Sequence, residues 1–148
     1  MFPCALSTAP SGNTRNSTSA DTAHTRGDPL PGYIDAFVLA VPKKKLAAYK
    51  RVSQRFGKIW REHGALDYNE CLGDDLKHAK VLPFPRLTRL KRGEVVVFSW
   101  ILFRSRAHRD RVNARGMRDP RTAKLMSMCM VMDPKRMAYG GFKVMVKV

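Results

Sequence analysis

Apolar residues in this chain alternate between a period of two and a period of three to four, and the changes of period mark out a succession of elements. Glu94 to Phe103 reads Glu-Val-Val-Val-Phe-Ser-Trp-Ile-Leu-Phe, rich in β-branched and aromatic side chains and free of Gly and Pro, which predicts a strand. Alternation sends Val96, Phe98, Trp100 and Leu102 to one side and Val95, Val97, Ile101 and Phe103 to the other, with Ser99 the polar interruption. Both faces of this strand are apolar.

Upstream, Tyr33 to Val41 predicts a first strand ended by Pro42, with Ile34, Ala36, Val38 and Ala40 as a small apolar face suited to a close-packed helix. Tyr33, Asp35, Phe37 and Leu39 make its mixed face. Leu46, Tyr49, Val52, Phe56, Ile59 and Trp60 then recur at helical spacing up to about His63, with Gly64 as the stop. Ala65 to Leu72 predicts a second strand, broken by Gly73-Asp-Asp, and a Pro-containing connection with a turn over Arg86 to Gly93 leads to the third strand at Glu94. Ser105 is placed to cap a helix running to about Met117, Asp119-Pro120 starts a short Met-rich helix to about Met130, and Met137 to Val146 predicts the last strand. The order is βαββαβ with one added helical turn: an α+β, ferredoxin-like arrangement in which a four-stranded antiparallel sheet carries its helices on one face.

That arrangement leaves the far face of the sheet open to water. Exposing four large apolar side chains of Glu94 to Phe103 forfeits roughly 6–12 kcal/mol at about 1.5–3 each, comparable to a domain's whole margin of about 5–15 kcal/mol. Two copies meeting sheet to sheet, as a dimeric α+β barrel, would cover them.

Composition adds compartment and partners. The chain has 148 residues, 44% of them hydrophobic, a one-domain length with enough apolar material for an ordinary core. Met1 to Gly32, built from Ser, Thr, Ala, Pro, Gly and Asn, reads as a disordered tail without a secretory signal, and residues 33–148 as the single folded domain. Lys and Arg number 28 against 12 acids, for a net charge of +16. The charges of the first 32 residues cancel, so the excess belongs to the folded part and favours polyanionic partners. No apolar run approaches the roughly 18 residues of a membrane span. Cys4, Cys71 and Cys129 have neither disulfide-framework nor metal-ligand spacing, so a reducing, cytoplasmic setting is expected, with no membrane, metal or cofactor.

Several short stretches, in order, are Tyr33-Ile-Asp-Ala-Phe-Val, Gly64-Ala-Leu-Asp-Tyr-Asn-Glu-Cys, Gly73-Asp-Asp, Val97-Phe-Ser-Trp-Ile, Ser105-Arg, Arg109-Asp, Asp119-Pro-Arg and Arg136-Met-Ala-Tyr-Gly-Gly-Phe. In that order and spacing they resemble the YbaA-like family of uncharacterised bacterial proteins, across about Tyr33 to Phe142. The resemblance implies a dimeric α+β barrel and no established reaction. Two features depart from it: Met130-Val131-Met132 stands where the family pattern has Met-Pro-Phe, and the Arg content is higher than the family needs.

Candidate chemistry centres on Asp35 and Glu70, acids that share strand faces with aromatic residues. A carboxyl group in an apolar cavity can act as general acid or base on a small molecule without a cofactor. Ser99 or Trp100 would border such a cavity and Tyr139 would orient the ligand. The structural alternative pairs both acids with arginines such as Arg136. A second function class rests on Arg51, Arg55 and Lys58 of the first helix and Arg111, Arg115 and Arg118 of the second, joined by Arg104, Arg106 and Arg109, as a positive surface for RNA. A solvated basic face without partner, in a protein with a purely structural or interaction role, is the third reading. His24, His63 and His108 have no evident partners, Asp74, Asp75 and His78 make a poor metal set, the methionines at 126, 128, 130 and 132 read as core filling, and Gly140-Gly141 as a bulge or close approach.

Overall fold

Glu94–Phe103 forms the strand that its composition predicts, and it lies inside the sheet rather than at an edge. The computed structural model describes residues 32–78, 80–128 and 132–148; all of the tail predicted over Met1 to Gly32 except Gly32 itself, with Cys4 and His24, and Cys129 and Met130 lie outside the described residues. The elements are β1 (Tyr33–Pro42), α1 (Leu46–Glu62), β2 (Asp67–Leu72), α2 (Phe84–Leu87), β3 (Glu94–Phe103), α3 (Arg106–Arg118), α4 (Pro120–Met128) and β4 (Ala138–Lys143). Three-residue 3-10 turns precede α1 and β4. The short α2 replaces the plain connection expected there; Pro85 in its first turn, where a missing N–H costs nothing, is the signal for it.

The sheet order is β2-β3-β1-β4 with every neighbouring pair antiparallel, the ferredoxin-like α+β arrangement. One face carries the helices. Phe37, Leu39 and Val41 of β1 and Val97, Ile101 and Phe103 of β3 pack there against Tyr49, Val52, Phe56, Ile59 and Trp60 of α1 and Val112 of α3. The facing of β1 is therefore the reverse of the expected one: its mixed face, with Asp35 and Phe37, turns toward the helices, and Ile34, Ala36, Val38 and Ala40 look to the open side. The large rings fill the space between the layers better than the small residues do, and Asp35 tolerates burial because a cation reaches it. On the open side Phe98 and Phe142 are 38% and 58% exposed and Trp100 and Leu102 are half-buried, while Val38, Ala40 and Val96 are already covered within the one chain.

Local signals close the elements as the sequence predicts. Ser105 Oγ accepts the His108 N–H at 3.2 Å and caps α3. Asp119, at the joint between α3 and α4, accepts Arg121 N–H at 3.0 Å and two guanidinium bonds from the same residue, and meets His63 at 2.9 Å. Arg121 also reaches Glu62, so His63, without a partner in the sequence reading, belongs to a network that ties α1 to α4. The Arg121 and His63 bonds hold the Asp119 carboxyl well below the usual carboxylate range. A carboxyl group lowered in the folded state contributes stability above its unfolded pKa of about 3.9, and that contribution fades as pH falls below it. Asp119→Asn is expected to unfold at lower urea than the wild type at pH 7, with the gap between the two midpoints beginning to narrow only as pH falls below about 4.

Candidate functional site

Between α1 and the edge strand β2 lies a cleft of about 830 Å³, lined mainly by apolar surface. Its α1 wall follows the helical repeat from Leu46 and Tyr49 through Ser53 and Gly57 to Arg61, and its other wall is β2. Gly57 makes the approach feasible: a Cβ there would stand 2.7 Å from the Tyr68 ring, so only glycine lets that ring lie against the helix.

Three hydroxyl groups converge on Glu70 in this cleft. Tyr49 donates at 2.7 Å to one carboxyl oxygen, Tyr68 at 2.8 Å to the other, and Ser99, opposite Glu70 in the β2–β3 register, at 2.5 Å. Each comes from a different place: Tyr49 from the buried stripe of α1, Tyr68 from the same face of β2 two residues earlier, and Ser99 from the polar interruption of β3. Burial, reinforced by the Glu70 charge, pushes the Tyr49 hydroxyl far above its ordinary value, which fixes it as a donor. Ser53 Oγ and Asn69 Nδ2 line the same cleft without a hydrogen bond of good geometry, although Ser53 lies close enough to Tyr49 to favour its ionised form slightly. A carboxylate can accept about four hydrogen bonds. Three are supplied by the protein, leaving room for one donor from a ligand.

Asp35 belongs to a separate cluster. It is 1% exposed, opposite Gly141 on β4 and Ile101 on β3, and does not line the cleft. Asn113 donates to it at 3.2 Å and in turn accepts the Trp60 indole N–H at 2.8 Å. Arg109 Nη1 lies 3.6 Å from its other oxygen and donates to the hydroxyls of Tyr139 and Tyr33, each at 3.2 Å, with the guanidinium 5.0 Å from the centre of the Tyr33 ring. Desolvation raises the Asp35 pKa, with Arg109 opposing it; burial beside Asp35 pushes Tyr139 up to about 12. Gly141 admits the Tyr33 hydroxyl, which a Cβ would meet at 2.3 Å, so Gly140-Gly141 serves close approach within a regular register and makes no bulge.

The sequence-predicted residues thus divide. Glu70 and Ser99 come together; Asp35 and Tyr139 form the second cluster; Trp100 faces the open side of the sheet, away from both. The shared cavity expected between two sheets is therefore not where Glu70 and Ser99 point, because alternation along β2 and β3 sends both toward the helices. Arg109, expected in an exposed stripe, turns inward as the counter-ion of Asp35, and Arg136 pairs with Glu94 rather than with either candidate acid. Arg51, Arg55, Lys58, Arg111, Arg115 and Arg118 are exposed on α1 and α3, which pack side by side. Met126 and Met132 join the core, whereas Met128 is exposed. Asp75 and His78 approach to 3.8 Å on an exposed loop, and among the described residues no group of three or more potential metal ligands forms. No helix among them is long and apolar enough to cross a membrane. Tyr49 and Tyr68 were missed as site residues, and Tyr68, two positions from Glu70 on the same strand face, is the one that alternation could have supplied.

Fold and site define a ferredoxin-like α+β domain with a carboxylate-centred cleft on its helix side. The fold is shared with a dimeric ferredoxin-like protein from an uncultured marine organism, at a TM-score of 0.51 and 10% identity over 80% of this chain and 99% of that one. The chain belongs to the family described as proteins of unknown function, DUF1428, which it matches over residues 32–134. The uncharacterized protein YbaA of Escherichia coli is 40% identical over 114 residues, 77% of this chain and 97% of that one. The Shigella flexneri YbaA matches to the same extent.

Proposed function

We propose that the protein is a homodimer in which each subunit binds a small organic molecule in the α1–β2 cleft, with Glu70 as the polar anchor. The observation that carries this reading is the convergence of Tyr49, Tyr68 and Ser99 on one carboxylate inside a cleft of about 830 Å³, a size within the roughly 300–1,000 Å³ of small-molecule sites. A ligand with an apolar body and one N–H or O–H donor fits it. Proton abstraction from such a donor, or from an acidic C–H beside a carbonyl, is the reaction open to Glu70 without a cofactor, with Tyr49 and Tyr68 orienting the carboxylate that takes the proton. Asp35 and Tyr139 hold the sheet to α3 in this reading and do not touch the ligand. Dimerisation is supported by the apolar open side of β3 and by the dimeric state named for the marine ferredoxin-like protein.

Native mass spectrometry of the purified protein, followed by release and identification of what co-purifies, tests the binding reading. Glu70→Gln is expected to keep the thermal unfolding midpoint within a few degrees and to weaken binding of the identified compound by at least about tenfold, the loss of one charge-assisted hydrogen bond. Equal binding by wild type and variant in calorimetry removes Glu70 from the site.

The exposure of Arg51, Arg55, Lys58, Arg111, Arg115 and Arg118 favours a second reading, RNA binding across the helix layer. Phosphate contacts of that kind make affinity fall steeply with salt. An RNA affinity that does not change between low and physiological salt ends this reading.

A further inference from the structure

Beside the inner row of α1 that carries Tyr49, Ser53 and Gly57 runs a second row, Lys50, Gln54 and Lys58, at the same spacing of four residues. Both rows border the cleft, and the second is exposed at its mouth. Side chains three and four positions apart are neighbours on a helix, so Lys50, Ser53, Gln54 and Lys58 surround one patch of α1. The acids that line the cleft are all engaged within the protein. Glu62, four residues beyond Lys58 and so placed to neutralise it, is taken by Arg121 at 2.6 Å. Asp67 accepts the Tyr68 N–H at 2.8 Å, and Glu70 holds its three hydroxyl groups. Arg61, the remaining cation of the lining, donates to the Ala65 carbonyl at 3.1 Å. Among the described residues neither Lys50 nor Lys58 has an ion-pair partner. Ser53 is 2% exposed with no hydrogen bond of good geometry for its Oγ, a cost that a group entering the cleft would remove.

We propose that the cleft ligand is a small organic carboxylate. Its O–H or N–H donor meets Glu70 on the β2 side, and its carboxylate lies against α1, accepting from Ser53 Oγ and Gln54 Nε2 and facing the ammonium groups of Lys50 and Lys58. This rests on the binding reading above and adds to it the charge of the ligand and a second set of contacts. The two walls ask for opposite things: Glu70 needs a donor, whereas the α1 patch offers donors and positive charge and needs an acceptor. The long stems of the lysines suit the edge of an apolar cleft, since they cover apolar surface while the charged heads stay in water until an anion arrives. A carboxylate fits better than a phosphate, because phosphate sites draw on arginine forks or successive backbone N–H groups, and the arginine of this lining is held by Ala65. The net charge of +16 also favours anions at the surface from which the ligand enters.

Calorimetry on the full-length protein at low salt, with 4-hydroxybenzoate, 4-hydroxyphenylacetate and 3-phenyllactate each beside its methyl ester, tests the charge. Esterification removes the charge and keeps the apolar body and the hydroxyl group. At least one acid is expected to bind about tenfold more tightly than its ester, the gain from charge-assisted hydrogen bonds, with the gap narrowing at about 0.5 M salt as the exposed lysines are screened. Lys50→Met combined with Lys58→Met is expected to shrink that gap to about twofold while the ester binds as before, which a merely structural role of the lysines would not do. Ser53→Ala is expected to weaken the acid by about threefold without lowering the thermal unfolding midpoint, because it deletes a hydroxyl that no protein group satisfies. A gap that survives the double lysine variant, acids that bind no more tightly than their esters, or no binding by any probe overturns the carboxylate. The Glu70 anchor falls separately, and only if the compound found by native mass spectrometry binds wild type and Glu70→Gln equally.

Discussion

Replacing Arg109 by Met is expected to cost about 3–5 kcal/mol of folding stability at pH 7, the size found when one partner of a buried ion pair is removed. The side chain is nearly enclosed and supplies charge to Asp35 and hydrogen bonds to Tyr33 and Tyr139 at once, so methionine fills the volume but satisfies none of them. The deficit should depend on pH with a definite sign. Desolvation already raises the Asp35 pKa and Arg109 opposes that rise; without the guanidinium the group shifts further up. A carboxyl group raised in the folded state binds its proton more tightly there than in the unfolded chain, so the variant gains on the wild type as pH falls and loses ground as pH rises above about 4. Urea unfolding at pH 4.5 and pH 8 measures this: a deficit that is equal at both values, or larger in acid, contradicts the assignment of Arg109 as counter-ion. The double variant Asp35→Asn with Arg109→Met should recover part of the loss, since no unpaired charge is then left inside.

Gly57→Ala is expected to shift the balance in the cleft rather than in the core. Alanine favours a helix over glycine by about 1 kcal/mol, yet its Cβ would lie 2.7 Å from one atom of the Tyr68 ring and 3.1 Å from two others. The ring must move, and forcing such a shift costs about 1–3 kcal/mol. Tyr68 then loses its reach to Glu70. Net stability falls by no more than about 2 kcal/mol, while affinity for the cleft ligand falls with that of Glu70→Gln. A variant that keeps full affinity shows that Tyr68 is dispensable to the site.

Much of this architecture was legible in residue order. The spacing of Leu46, Tyr49, Val52, Phe56, Ile59 and Trp60 located α1 and its inner stripe, and Ser105, Asp119 and Pro120 located the joints of α3 and α4. What period cannot decide is which side of a strand faces the helices when both sides are apolar, and β1 was assigned the wrong way round. The deciding residue was Asp35, whose burial depends on an arginine supplied by another helix far along the chain. The cleft was hidden for a related reason. Glu70 was found as a lone acid on a strand, but the value of the position comes from Tyr49 on α1 and Ser99 on β3, and neighbourhood across three elements leaves no mark on local sequence.

The pairing of β1 with β3 also constrains how the chain can assemble. Every contact of that central ladder, from Pro42 with Glu94 to Tyr33 with Phe103, joins residues separated in sequence by α1, β2 and α2. During synthesis no part of the sheet's centre can form until β3 begins to leave the ribosome, and β2, made earlier, has only the absent β3 to bind. Loops of that length make nucleation slow relative to helix formation. Helix α1 is therefore the structure available first, with its apolar stripe uncovered, and the chain is most exposed to aggregation between its completion and the arrival of β3.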